Sequence, residues 1–428
     1  MTRVYATFVG CKVSQADSRV ALRALQAAGH EPVDDPAQAD LHVLMTCAVT
    51  AEAERKSRRL ARRLAASGRP VLVAGCAGAL RAGQFEGEGV TVVSGDDAQA
   101  ALQAVVAGAE QALAGSAPPA SAPPASAPPE VGQAAAAPSR RTRFTLKVQD
   151  GCASSCTYCA VRLARGRPWS SSAAAAVAEV AEALAAGCGE VVLSGVNLGR
   201  YRDDEAGDEL AELIARLTSL PGLARLRLSS IEPLDITPAL IEALAHPRVA
   251  RHLHVPLQSA DDDVLAAMGR PYTFAQFRDR LAAARERLDD LAVTTDIIVG
   301  FPTEGDEAFA RTLAAITPSD GLFTRVHVFR YSSRPGTAAG DLQPLSPVVV
   351  KERMARALTS AEGARRAAAA AWLGRSATVI VEEYRDGLSR GYSSQYVRYY
   401  LEGESAPGAL VSAVADELHA DGVKGRLL

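Results

Sequence analysis

Short apolar runs recur along this chain, separated by alanine- and leucine-rich stretches of helical character. In the first third, residues 4–9, 41–44, 71–74 and 90–93 read as strands, and residues 15–28 and 51–66 as the clearest helices. Gly29 is a fitting stop for the first of these helices. The pattern predicts a small α/β layer. Further on, strands are predicted at residues 144–148, 190–193, 225–229, 252–255, 293–299 and 325–329. Helical segments lie between them, among them 174–186, with Gly187 as its stop, and 274–288. Six strand–helix units in about 190 residues predict a parallel βα array, either an incomplete barrel or an open sheet. Either form places reactive groups at the C-terminal ends of the strands. Near the end of the chain, residues 377–382 and 392–401 alternate apolar with polar, punctuated by Gly387, Gly391 and Gly403. That period predicts a small antiparallel β-module.

Composition marks the boundaries between these regions. From Ser116 to Pro138 the chain first repeats Ala-Pro-Pro-Ala-Ser and offers no aromatic residue to bury, so an extended linker is expected. The expected division is therefore 1–115, a linker over 116–138, a βα domain over 139–370 and a β-module over 371–428. A length of 428 residues suits two to three domains, and 48% hydrophobic with 22% charged residues is a globular balance. No apolar run approaches the ~20 residues of a membrane span. Nor do the first residues, Met1-Thr-Arg-Val-Tyr-Ala, resemble a signal peptide, so a cytoplasmic chain without membrane contact is expected. A formal charge of −3 excludes a generally basic nucleic-acid coat and leaves room for local basic patches.

The seven cysteines carry the strongest chemical signal. In a reducing compartment they are metal ligands or catalysts more often than disulfides. Cys152, Cys156 and Cys159 follow the first strand of the βα array on a loop, with gaps of three and two residues. Three thiolates so spaced can converge on one soft centre and leave a coordination position open. A structural zinc site needs a fourth ligand, and the nearest downstream histidine is His246. The spacing favours an iron–sulfur cluster with one exchangeable iron. Three more cysteines each end a predicted strand of the N-terminal layer: Cys11, Cys47 and Cys76. The ends of parallel strands meet along one edge, so these thiols can converge across wide sequence separations. Cys188, between two glycines, reads as a buried structural cysteine.

The Cys152-x3-Cys156-x2-Cys159 loop, with Tyr158 before its last cysteine, resembles the signature of radical S-adenosylmethionine enzymes. The resemblance implies a partial (β/α)6 barrel. It also implies a [4Fe-4S] cluster whose free iron binds S-adenosylmethionine and whose electron cleaves it to a 5′-deoxyadenosyl radical. Adding Cys11, Cys47 and Cys76 makes the chain resemble the methylthiotransferase family over nearly its whole length. In that family a second [4Fe-4S] cluster, held by an N-terminal trio, carries the sulfur inserted into a C–H bond.

Further strings resemble the branch acting on N6-threonylcarbamoyladenosine in tRNA. They include Gly10-Cys-Lys-Val-Ser-Gln, Val192-Leu-Ser-Gly-Val-Asn-Leu-Gly, His252-Leu-His-Val-Pro-Leu-Gln-Ser and Thr295-Asp-Ile-Ile-Val-Gly-Phe-Pro. Ser14, Asp17, Met45, Arg162, Trp169 and Thr303 depart from the branch pattern, and none of them is a cluster cysteine.

The resemblance implies that the partners of S-adenosylmethionine are Tyr158, Gly195, Asn197, Ser230, Glu232, Gln258, Arg270 and Asp296. It implies tRNA as substrate, an external electron donor and a C-terminal RNA-binding barrel of the TRAM type. For RNA contact, residues 55–63 place six basic residues in nine positions, and Arg140, Arg141, Arg143 and Lys147 form a second basic group. The terminal module carries six Lys/Arg against eight Asp/Glu from Trp372 onward. There the case rests on Arg390, Tyr392, Tyr396 and Arg398, against plain β-core roles. Rival functions are methylthiolation of isopentenyladenosine in tRNA or of a ribosomal-protein aspartate, and a non-catalytic iron–sulfur RNA-binding redox sensor.

Overall fold

The computed structural model describes residues 2–95, 98–114 and 142–428; the expected linker, Arg140 and Arg141 lie outside them. Two compact units are distinguished. The first holds the N-terminal residues together with Asp150–Ser154 and Cys159–Trp169; the second holds Ser155–Tyr158, the strand residues up to Gln149 and Ser170–Leu428.

The first unit is built on five parallel strands: β1 (Arg3–Phe8), β2 (Glu31–Pro32), β3 (Leu41–Thr46), β4 (Val71–Gly75) and β5 (Val90–Val92), in the order β2-β1-β3-β4-β5. Successive residues of a strand face opposite sides, and both sides are covered. Val4, Ala6, Leu41 and Val43 pack with helices α1 (Lys12–Ala27) and α4 (Ala98–Ala114). Tyr5, Leu44, Val71 and Val73 pack with Leu60, Ala61 and Leu64 of α2 (Ala51–Ala65). Double coverage is why these strands read as unbroken apolar runs. The short helices α3 (Cys76–Leu80) and α5 (Val161–Arg165) complete the unit, Ala164 packing into the same core as α2.

The second unit contains the six predicted strands: β6 (Arg143–Asp150, with Asp150 in the first unit), β8 (Glu190–Gly195), β9 (Arg225–Leu228), β10 (His252–His254), β11 (Ala292–Val299) and β12 (Arg325–Arg330). They lie side by side in sequence order and parallel, with β7 (Trp169–Ser170) beside β6. Between β9 and β10 the ladder thins to single bridges, Leu226 to Val249 and Ser230 to His254. This is a partial barrel of the predicted kind. Its core takes Val180 and Ala183 from α6 (Ala173–Ala185), Leu213 from α7 (Leu210–Thr218) and Leu240 from α8 (Pro238–Leu244). Leu265 of α9 (Asp262–Ala267), Phe277 of α10 (Phe274–Arg287), Phe309 of α11 (Asp306–Ala315) and Ala357 of α12 (Pro347–Ala370) extend it.

The terminal module is a closed barrel of β13 (Ser376–Arg385), β14 (Leu388–Ser393), β15 (Arg398–Glu402), β16 (Leu410–His419) and β17 (Gly422–Leu427). It departs from a purely antiparallel module because β15 and β17 pair in parallel. Five strands cannot alternate direction all the way round a closed ring, so one neighbouring pair must run the same way. The segment 392–401, expected as one strand, breaks at Tyr396, whose φ of 65° turns the chain between β14 and β15. The barrel is fastened to the βα array by a buried ion network. Glu190, wholly buried, meets Arg143, Arg225 and Arg227 at 3.1, 3.3 and 3.0 Å. Arg225 then donates to the Thr378 carbonyl and Arg227 to the Ser393 and Ser394 carbonyls. Burial alone would raise the Glu190 carboxyl, but the three guanidinium groups hold it down at about 2.

Candidate active site

The N-terminal cysteines come off three adjacent strands of one sheet. Cys11 caps α1 after β1, Cys47 follows β3, and Cys76 opens α3 after β4. Local sequence explains their positions. Gly10 has φ +125°, and a Cβ there would lie 2.8 Å from the Cys47 sulfur. Gly75 has φ +87°, and a Cβ there would meet the Thr46 carbonyl oxygen at 2.6 Å. The Thr46 hydroxyl donates to the Ala74 carbonyl at 2.6 Å and accepts from Gly78 N–H at 3.0 Å, locking the end of β3 to the start of α3. Only glycines at residues 10 and 75 let the three chain segments close up.

Their electrostatics are those of a thiol cluster. A hydrogen bond with Cys47 lowers the Cys11 thiol to about 5, and the same bond, with burial, raises Cys47. Burial pushes Cys76 up, opposed by a guanidinium: Arg165 Nε donates to its sulfur at 3.0 Å. Arg165 also donates to both oxygens of Asp150 at 3.0 and 2.9 Å and to Asp17 at 2.7 Å. Sequence reasoning did not single out Arg165. It did name Ser14 and Asp17 as departures, and both touch this site, Ser14 Oγ lying 3.7 Å from the Cys11 sulfur.

The second trio begins in the same unit. Gly151, at φ +69°, leaves room for the Arg167 carbonyl, which a Cβ would approach to 2.1 Å. Cys152 accepts from Ser154 N–H at 3.4 Å, and Cys159 immediately precedes the turn into α5.

Cys156 lies in the second unit, where Thr157 is held through its N–H and hydroxyl by the Met268 and Ala267 carbonyls at 3.0 and 2.8 Å. Gly269 passes close enough that a Cβ would meet the Ser155 carbonyl at 2.6 Å. Arg270 donates to the Cys156 sulfur at 3.4 Å, to the Tyr272 hydroxyl at 3.0 Å and to Glu232. Arg270 and Glu232, both expected to hold S-adenosylmethionine, are therefore partners of each other. Tyr158 packs partly against the core of Met268 and Phe301.

The remaining expected contacts divide. Asn197 N–H donates to Gln149 Oε1 at 2.6 Å, while its own Oδ1 is buried with no hydrogen-bond partner among the described residues. An orphaned acceptor after β8 suits a ligand ammonium. Ser194 and Ser229 present hydroxyls in the same condition, which the sequence reading did not name. Gly195 faces the Gln149 side chain, 3.0 Å from the position of a Cβ, so the missing side chain is needed for packing. Ser230 bridges to His254 through the backbone, and Gln258, at φ +68°, joins β11 by N–H donation to the Asp296 carbonyl.

Asp296 is taken by two imidazoles, His254 Nε2 at 3.2 Å and His327 Nδ1 at 3.1 Å. Burial would raise its carboxyl, but these bonds hold it at about 2. Thr294 Oγ1 extends the chain, 2.9 Å from His254 Nδ1. This relay was not legible as a unit, because the parallel register alone brings residues 254, 296 and 327 together.

The C-terminal residues expected at RNA are used internally. Tyr392 stacks on Tyr396 at 4.8 Å, Tyr396 on His252 at 4.7 Å, and the guanidinium groups of Arg143 and Arg227 lie over these rings. Arg398 pairs with Asp421 and Arg390 with Asp386. A five-stranded barrel needs a seat, and these rings supply it. On α2, by contrast, Arg55, Lys56, Arg59 and Arg62 remain exposed, opposite a buried face of Ser57, Leu60 and Leu64.

The class of protein follows from comparison with known families. The model of the Radical SAM superfamily matches residues 146–316, and that of uncharacterized protein family UPF0004 matches residues 3–94. A threonylcarbamoyladenosine tRNA methylthiotransferase MtaB from Thermotoga maritima is 34% identical over 420 residues, covering 97% of this chain and 94% of its own. The Bacillus subtilis protein of that name is 31% identical over 92% of this chain and 89% of its own. A tRNA-2-methylthio-N(6)-dimethylallyladenosine synthase from Anaeromyxobacter sp. is 33% identical over 96% of this chain and 92% of its own.

Among solved structures, the radical S-adenosylmethionine methyltransferase TsrM from Kitasatospora setae shares the fold at a TM-score of 0.55 and 18% identity, covering 76% of this chain and 73% of that one. The chain belongs to the methylthiotransferase family of radical S-adenosylmethionine enzymes, which use S-adenosylmethionine and [4Fe-4S] clusters. No helix among the described residues is long and apolar enough to cross a membrane.

Proposed function

We propose that this chain converts N6-threonylcarbamoyladenosine, 3′ of the tRNA anticodon, to its 2-methylthio derivative in the cytoplasm, drawing electrons from an external donor. One observation carries the reading: three thiols stand at adjacent strand ends in a chain 34% identical, over 97% of its length, to a relative named for that reaction. In this reading Cys152, Cys156 and Cys159 hold one [4Fe-4S] cluster, and Cys11, Cys47 and Cys76 hold another. When bound, the two clusters supply the electron that cleaves S-adenosylmethionine and the sulfur that is inserted. An aromatic C–H bond offers no acidic proton, so no side-chain base is asked to remove it.

The chain's own residues bind and orient. Asn197 Oδ1 accepts from the ammonium of S-adenosylmethionine, and Ser194 and Ser229 offer further hydroxyls with no partner among the described residues. Arg270 steadies Cys156 while Glu232 and Tyr272 hold Arg270. The exposed arginines of α2 serve tRNA phosphates. We take the domains as 1–115, 139–370 and 371–428.

Mass spectrometry of nucleosides from tRNA of a deletion strain tests the substrate. Loss of the methylthio-threonylcarbamoyl peak is expected, restored by the wild-type chain. Loss of the isopentenyl-type peak instead would transfer the assignment to that substrate.

A further inference from the structure

Arg165 does not belong to the cysteine set, yet it joins more of the site than any cysteine does. It is the last residue of α5 and its side chain is 11% exposed. Nε donates to Cys76 Sγ, one terminal nitrogen to both oxygens of Asp150, and the other to Asp17. Asp17 lies on α1, whose cap is Cys11, and Asp150 precedes Cys152 by two residues. A guanidinium is permanently charged and presents its donors in a rigid fork, so three partners in different directions hold it in one orientation. With two carboxylates fixing the far side of the fork, Nε is aimed at sulfur and nothing else. Lysine, a point charge on a flexible stem, cannot satisfy all three partners at once.

We propose that Arg165 is a positioning residue that tunes the cluster held by Cys11, Cys47 and Cys76, through a charge-assisted N–H···S bond to Cys76. Hydrogen bonds to ligating sulfurs and the net charge around a cluster set its reduction potential. A donor and a positive charge at the Cys76 sulfur stabilise the more negative, reduced state. Arg165 therefore raises the potential of this cluster relative to what the three thiolates alone would give. The inference rests on the proposed ligand set of the N-terminal trio.

The test uses the full chain carrying C152A/C156A/C159A, reconstituted anaerobically with iron and sulfide, so that only the N-terminal site binds a cluster. Redox titration followed by electron paramagnetic resonance gives its midpoint potential with Arg165, R165K and R165Q in turn. The expected result is a shift to more negative potential in R165Q and a smaller one in R165K. Resonance Raman spectra of the iron–sulfur stretches are expected to shift in both, which a merely structural residue would not cause in folded, loaded protein. Equal midpoints in the parent and R165Q overturn the proposal. If R165Q retains no cluster, R165K decides, and a midpoint equal to the parent's overturns it. A parent that binds no iron at all overturns the ligand set itself, and the role of Arg165 with it.

Discussion

Gly10 stands so close to Cys47 that a Cβ on residue 10 would fall 2.2 Å from the Cys47 Cβ, well inside contact distance. The backbone there is also left-handed, at φ +125°. Replacing Gly10 by Ala therefore separates β1 from β3 at the place where two of the thiols meet. The G10A protein is expected to keep its fold and lose the N-terminal cluster, dropping from about eight irons per chain to about four. Iron and sulfide analysis with circular dichroism checks this.

Asn197 Oδ1 is buried without a partner among the described residues. If it accepts from the ammonium of S-adenosylmethionine, N197A forfeits a hydrogen bond to a charged group. Such bonds are worth about 1.5–3 kcal/mol, so binding of S-adenosylmethionine is expected to weaken about 10- to 150-fold. Equilibrium binding to the reconstituted protein measures it, with iron content unchanged.

Glu190 is the buried carboxylate shared by three arginines beneath the terminal barrel. E190Q removes the carboxylate that these buried guanidinium groups share, which costs about 3–5 kcal/mol of stability and is read by chemical denaturation. The acid dependence follows from its depressed carboxyl, at about 2 in the folded chain against ~4.3 for an ordinary glutamate. Its contribution is complete above the higher value and is lost as pH falls from ~4.3 through about 2. E190Q is expected to lose that part of the acid sensitivity.

Arg59 and Arg62 lie exposed on the outer face of α2. R59A/R62A is expected to weaken tRNA binding while leaving iron content and fold intact. Each phosphate contact removed should flatten the slope of log affinity against log salt by about 0.7–0.9. A salt titration of tRNA affinity checks it.

The sequence revealed most where chemistry and period coincide. Cys11, Cys47 and Cys76 were legible as one set because each ends an apolar run, and parallel strands present their ends along one edge. Arg165 was not, since its partners Cys76 and Asp17 lie 89 and 148 residues away and a lone arginine has no spacing signature. The same limit hid Asp296 between His254 and His327. Tyr392 and Tyr396 read two ways in sequence, since aromatic residues near arginines suit RNA and equally suit a β-core; in the structure they stack on each other with Arg143 and Arg227 over the rings.

The most direct test of the two-cluster account is iron and sulfide counted by Mössbauer and chemical analysis on three anaerobic preparations. These are the wild-type chain, C11A/C47A/C76A and C152A/C156A/C159A. The account predicts about eight irons in the first and about four in each of the others, in cubane form. A wild-type chain with only about four irons, unchanged by loss of Cys11, Cys47 and Cys76, would contradict it.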